Sequence, residues 1–299
     1  TVAASYYVGS VQLSTASVTA TSTATTTAEL ASNTTALEGS TLSLDGNAVA
    51  AYATANMVSN SVLNMGGEDT ATLDATGAVE NYQNTGGIVS ASATNDVIAT
   101  FDTFAATTTP DAALNGSTLS IQNNSTVAMA RGNVASNSLN ASAVNATVGN
   151  GLAAINSTTG ITTASYALVN SQINNAAINA TSDGASYGAT LNGAALTSGE
   201  PALASSMLSI SGNSVQAIGY GNIATNSVTL ASLNSSSNDA TAALYSTQNN
   251  TAAVTVTASN ASIGYSSLGA LTNATFSVGG NTVSASAVGN LATSRITRN

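Results

Sequence analysis

Four segments of this chain can be laid on one another without a gap: Leu42 to Val62 (LSLDGNAVAAYATANMVSNSV), Leu119 to Leu139 (LSIQNNSTVAMARGNVASNSL), Leu208 to Val228 (LSISGNSVQAIGYGNIATNSV) and Phe276 to Ile296 (FSVGGNTVSASAVGNLATSRI). The spacing from Asn47 to Asn56 recurs from Asn124 to Asn133, from Asn213 to Asn222 and from Asn281 to Asn290. A frame that holds its spacing while its side chains vary is the signature of a structural repeat, in which each copy buries its faces on the next.

Within the frame the period is two, the period of a strand. In the third copy Leu208 and Ile210 flank Ser209, and Gly212-Asn213 predicts a turn because both residue types tolerate positive φ. Val215, Ala217 and Gly219 then share a face. Gly221-Asn222 predicts a second turn, after which Asn222, Ala224, Asn226 and Val228 share a face. Small residues in one set of positions and Asn in another allow stacked copies to bond their amides in ladders. The candidate turn and ladder residues are Asn47, Asn56, Asn60, Asn124, Asn133, Asn137, Asn213, Asn222, Asn226, Asn281 and Asn290. One departure stands out: Thr126 occupies the position held by Val49, Val215 and Val283.

The segments between the copies are related more loosely. Tyr82 to Phe101 and Tyr245 to Tyr265 each pass from Tyr through a polar turn into an alternating strand; Ile161 to Ile178 and Val8 to Ala20 read as further versions. Val2 to Glu29 is dense in β-branched residues and predicts two or three strands. Pro110 and Pro201 each precede a copy, where no ladder hydrogen bond is needed. The expectation is an all-β fold: one elongated domain over 1–299, a β-solenoid or stacked β-sandwich of four strand-turn-strand units, approximately 1–76, 77–150, 151–240 and 241–299.

Composition narrows the function. With no His, Cys or Lys, the usual general base, thiol nucleophile and amine nucleophile are missing, so no enzyme, no catalytic residue and no cofactor are expected. Zinc-type metal sites lack their ligands. Glu68, Asp69 and Asp74 form the one acidic cluster, but their spacing fits no calcium loop and reads as solvated chain, as Asp45 reads as a turn residue. Three arginines, Arg131, Arg295 and Arg298, against 13 acids exclude a nucleic-acid partner. No apolar run reaches the roughly 18 residues of a transmembrane segment. Charged residues make up only 5% of the chain, so little repulsion opposes self-association.

Arg295 and Arg298 lie in the last copy and are candidates for a joint between subunits. Tyr52, Tyr82, Tyr220, Tyr245 and Tyr265 read as edge or interface packing, with a carbohydrate-binding face as the alternative. Asn-x-Ser/Thr sequons such as Asn115, Asn140 and Asn179 are frequent in a sequence rich in Asn, Ser and Thr and leave glycosylation open. The start at Thr1-Val2-Ala3-Ala4-Ser5, the absence of Lys and the Ser/Thr/Asn/Ala/Gly richness together predict export after signal-peptide removal, to the cell surface or beyond.

Gln216-x-x-Gly219-x-Gly221-Asn222-x-Ala224 resembles the rung motif of curlins, and the Gly-Asn-x-Ala-x-Asn pattern of Gly132 to Asn137 and Gly221 to Asn226 resembles repeats of the Fap functional amyloids. Holdfast anchor proteins offer a weaker likeness. The resemblance covers the four copies and implies an extracellular fibre subunit whose partner is further copies of itself, a homopolymer for adhesion or biofilm matrix. The alternative is a β-solenoid adhesin or phage-type fibre that binds cell-surface or matrix polysaccharide.

Overall fold

The computed structural model describes residues 2–32, 37–65, 72–73, 76–103, 114–143, 147–148, 153–157, 160–193, 201–232, 241–259, 261–267 and 270–298. Among the described residues there is no helix, and strands take up most of them. This follows from alternation and from the density of Val, Ile, Thr and Ser, which suit a pleated surface and disfavour helix.

Most strands pair in parallel with their own counterparts elsewhere in the sequence. Tyr6–Ser14, Gly77–Thr85, Tyr166–Asn174 and Ala242–Asn250 form one sheet in that order. Val18–Ser32, Val89–Thr103 and Ile178–Asp183 with Ser186–Gly193 continue the same wall, closed by Val254–Ser259 and Ser262–Ser267. The opposite wall contains Thr41–Asp45, Thr118–Gln122, Met207–Ser211 and Thr275–Gly279, and beside them the long strands Ala48–Met65, Ser125–Ala143, Ser214–Ser232 and Thr282–Arg298. Leu42, Leu119, Leu208 and Phe276 are direct neighbours in register. Each unit therefore supplies one strand to each of these sheets, or two shorter ones where the third and fourth units divide the strand that pairs with Val89–Thr103, and the units lie in sequence order.

The two walls close on a thin core. Ala51, Ala53, Ala128, Ala130 and Ala217 of the long strands face Val89, Ala91, Ala93, Ile178 and Ala180 of the other wall. Small side chains let the sheets approach closely, so little volume is needed to exclude water. Larger residues fill the two ends: Leu119, Ile121, Leu208 and Ile210 meet Val97 and Tyr187 at one, while Leu139, Val228 and Leu230 meet Val79, Tyr166 and Leu168 at the other.

The structure changes four local expectations. Gly212 does take positive φ (68°), as do Gly46 (71°), Asn123 (55°) and Gly280 (66°), so the first turn puts the left-handed residue before the column asparagine. Gly221-Asn222, however, lies within the continuous strand Ser214–Ser232. In the second unit Ala128, Ala130 and Gly132 face inward, followed at once by Asn133, Ala135 and Asn137. Two consecutive inward residues shift the alternation, and the strand turns a corner without leaving its ladder. A Cβ on Gly132 would lie about 2.5 Å from the carbonyl oxygen of Gly221, and one on Gly221 would collide with that of Gly289, so the corner needs glycine where units stack most tightly. The first unit has Ala55 at this corner.

Second, Tyr82 does not align with Tyr245: Tyr82 pairs with Ser171 and through it with Thr247, a slip of two residues. Third, Ile161 lies in Gly160–Ala164, which pairs antiparallel with Ala153–Ser157, and that strand in turn pairs antiparallel with Val2–Ala3. This hairpin opens the third unit, whose first stacked strand begins at Tyr166; Ala164 packs on Ala78, Ala167 and Val169 and covers the outer face of that sheet. Fourth, Pro201 opens the short strand Pro201–Ala204, paired irregularly with Ala270–Thr272, the strand position at which a missing N–H is tolerated. Pro110 lies outside the described residues.

Candidate functional site

The polar interior is organised as columns of amides, one residue per unit. Asn56 Nδ2 donates to Asn133 Oδ1 (2.8 Å), Asn133 Nδ2 to Asn222 Oδ1 (2.7 Å) and Asn222 Nδ2 to Asn290 Oδ1 (2.7 Å). The same amides reach across the core to the other wall, where Asn133 donates to the carbonyl of Ile173 (2.8 Å) and Asn222 to that of Asn249 (3.0 Å). Side-chain amides with two donors and an acceptor can bond along the stack and across it at once. Asn133 and Asn222 are fully buried, so these bonds replace all of their hydration.

Two further asparagine columns run in the same direction. At the first turn Asn47 donates both its backbone N–H and Nδ2 to Asn124 Oδ1 (2.9 Å each), and Asn124 to Asn213 and Asn213 to Asn281 repeat the pattern. Asn60 donates to Asn137 Oδ1 and Asn137 to Asn226 Oδ1 (2.9 Å each); in the fourth unit Ser294 Oγ accepts from Asn226 at 3.4 Å. All eleven candidate turn and ladder asparagines thus stand in these three columns.

A fourth column is absent from the sequence reading. Gln12, Gln83, Gln172 and Gln248 stack in register, and they donate the opposite way: Gln248 Nε2 to Gln172 Oε1 (2.7 Å), Gln172 to Gln83 (2.8 Å) and Gln83 to Gln12 (2.7 Å). Each also donates across the core, as Gln172 does to the carbonyl of Ile223 (2.8 Å). Their intervals of 71, 89 and 76 residues differ from the 77, 89 and 68 of the frame, which hides them from a search at fixed offset. The available signal is one Gln per unit followed two positions later by Ser14, Thr85, Asn174 or Asn250. Gln216, by contrast, pairs with Val127 and Ser284 and belongs to no glutamine column.

Thr126 has a local reason for departing from valine. Its hydroxyl lies 2.6 Å from Tyr187 Oη, which donates in turn to the carbonyl of Ser214 (3.2 Å). Burial raises the Tyr187 phenol above its ordinary value, and the hydrogen bond from Thr126 opposes that rise.

The stack ends in two free edges. Among the described residues the first-unit strands Tyr6–Ser14, Thr41–Asp45 and Ala48–Met65 have a neighbour on one side only, as do the fourth-unit strands Ala242–Asn250, Thr275–Gly279 and Thr282–Arg298. Apolar side chains are left exposed at both: Val11, Leu13, Met57 and Leu63 at one, Val278, Val283, Leu291 and Ile296 at the other. Arg295 and Arg298 lie on the second edge, opposite Ser227 and Leu230 of the third unit. Arg131 donates from Nε to Thr54 Oγ1 (3.1 Å).

The remaining candidates do not assemble into a chemical centre. Tyr52 and Tyr220 occupy different columns of the long-strand wall, Tyr82 and Tyr245 different columns of the other, and nothing is described of the Tyr265 side chain. Asp45 accepts from Asn123 Nδ2 (3.0 Å), while Glu68, Asp69 and Asp74 lie outside the described residues. Among the described residues no cluster of acids, His or Cys could hold a metal ion, and no helix is long and apolar enough to cross a membrane. An outer groove over Ile98, Ser186, Gly188, Thr190, Ser262 and Gly264 is lined without a titratable group. Comparison with known protein families, with curated proteins and with solved structures finds no match to this chain.

Proposed function

We propose that this chain is a secreted structural protein, a β-solenoid of four turns that assembles end to end into an extracellular filament for adhesion or matrix. The observation that carries this reading is the pair of free parallel edges. Among the described residues, each leaves one side of its strands without a strand partner and carries exposed apolar side chains. Unprotected edges of this kind template the addition of another strand, and natural monomers blunt them with charge, proline or a covering element. Here the end strands contain little charge: Glu29 in Val18–Ser32, Glu38 in Leu37–Glu38, Asp45 at the end of Thr41–Asp45, and Arg295 and Arg298 near the end of Thr282–Arg298.

Location outside the cell is supported by composition, with charged residues at 5% and no Lys, and by the likeness of the frame to extracellular fibre repeats. The test is direct. Purified chain held at high concentration and examined by light scattering and negative-stain microscopy should form unbranched filaments; a monodisperse monomer under the same conditions would contradict the reading.

A further inference from the structure

Resting on that reading, we infer that the joint is polar: the fourth-unit edge of one copy receives the first-unit edge of the next, in the register that relates units within the chain. The asparagine columns donate from each unit to the one after it. At the fourth unit Asn290 therefore presents an Nδ2 donor beyond its 3.4 Å bond to the Gln248 carbonyl, and Asn281 presents its backbone N–H and one Nδ2 proton. At the other end the acceptors of the same columns, Asn56 Oδ1 and Asn47 Oδ1, have no described donor. The glutamine column runs in reverse, leaving Gln248 Oε1 as acceptor at the fourth unit and one Gln12 Nε2 proton as donor at the first.

Two kinds of ladder of opposite polarity thus end in complementary groups, donor facing acceptor in the Asn47, Asn56 and Gln12 columns, when the fourth unit meets the first. Joining like ends sets donor against donor in the asparagine columns and acceptor against acceptor in the glutamine column, or the reverse. The backbone obeys the same rule. Ser125, Ser214 and Thr282 each donate an N–H to the carbonyl of Asn47, Asn124 and Asn213 one unit before, so Ala48 of an incoming copy is placed to donate to Asn281. Arg295 and Arg298 would then face Ser61 and Asn64, by the register that runs through Ser227 and Ser138 and through Leu230 and Ala141. The arginines lie at the joint without meeting an acid there.

The chain has no cysteine, which makes the joint open to cross-linking. Ser59, Ser136, Thr225 and Thr293 form one outward column in register, so Ser59 of one copy would lie about 4.8 Å in Cα distance from Thr293 of its neighbour, within disulfide range. Ser59→Cys and Thr293→Cys chains are mixed in equal amounts, assembled and oxidised, with their masses distinguished by an isotopic label. The expected product is the mixed covalent dimer alone. Homodimers of either variant, or filaments that yield no covalent dimer, overturn the polar in-register joint while leaving the filament reading intact. If the unsubstituted chain forms no filament, the filament reading itself fails. If it does and the variants do not, oxidation is replaced by residue-specific photo-cross-linking from Thr293, which should label first-unit peptides and would contradict the inference by labelling fourth-unit ones.

Discussion

The inner units and the fourth unit have closely related residues at the column positions and yet sit in different physical states. Asn133 and Asn222 are fully buried, whereas Asn290 of the fourth unit is exposed; Ala128 and Ala217 are buried and their counterpart Ala285 is not. The frame does not bury itself. In the first unit Ala51, Ala53 and Asn56 stay buried, so it is the fourth unit that lies open where a further layer would cover it, and stability is a property of stacked interfaces more than of any one unit. Of the four units, the first three hold Val49, Ala51 and Asn56 and their counterparts buried, and the fourth leaves Val283, Ala285 and Asn290 exposed.

That contrast can be broken first at its strongest point. Asn133→Ala removes an amide that bonds Asn56, Asn222, Thr85 and the Ile173 carbonyl, and leaves buried polar groups without partners. It should cost about 3 kcal/mol in urea unfolding of the isolated chain. Asn290→Ala, in the same column, should cost less than about 1 kcal/mol, because its site is already open to water. Equal losses at the two positions would show that the inner units and the fourth unit do not differ as described.

The next largest effect tests a contact made only between inner units. Thr126→Val should cost about 1–2 kcal/mol by removing a partner from Tyr187, even though Val49, Val215 and Val283 show that the column accepts valine. Combining it with Tyr187→Phe should recover part of the summed loss, and a double-mutant cycle with no coupling would remove this explanation for Thr126.

The smallest effect is one of pH. Burial raises the Tyr187 phenol above 10.0, so the folded state holds the neutral form where the unfolded chain has begun to ionise. The stability that this contributes is intact below pH about 10 and is lost as pH rises through the folded value. With no His or Cys among the side chains, unfolding midpoints should be flat from pH 6 to 9 and fall above 10; a midpoint that changes across the neutral range would contradict this.

Much of this organisation was legible in the sequence, for an identifiable reason. In a parallel in-register stack the same position recurs in every unit, so the structural neighbours of Asn133 are the residues that align with it. The turns at Gly46, Asn123, Gly212 and Gly280 could be read because positive φ restricts residue type. The corner at Gly132-Asn133 could not be told from a turn, since Gly-Asn suits either and only the shifted alternation decides. The glutamine column was hidden by unequal loop lengths between the units, and the link from Thr126 to Tyr187 joins different sheets, which no alignment of a column with itself can reveal.

The most direct measurement is the axial repeat of the assembled material by fibre diffraction or cryo-microscopy. Four parallel layers spaced by about 4.8 Å, continued without a gap into the next copy, give a subunit repeat of about 19 Å along the filament with strands perpendicular to its axis. Chains that stay monomeric, or filaments whose strands do not run across the axis with that repeat, would contradict assembly by continued stacking.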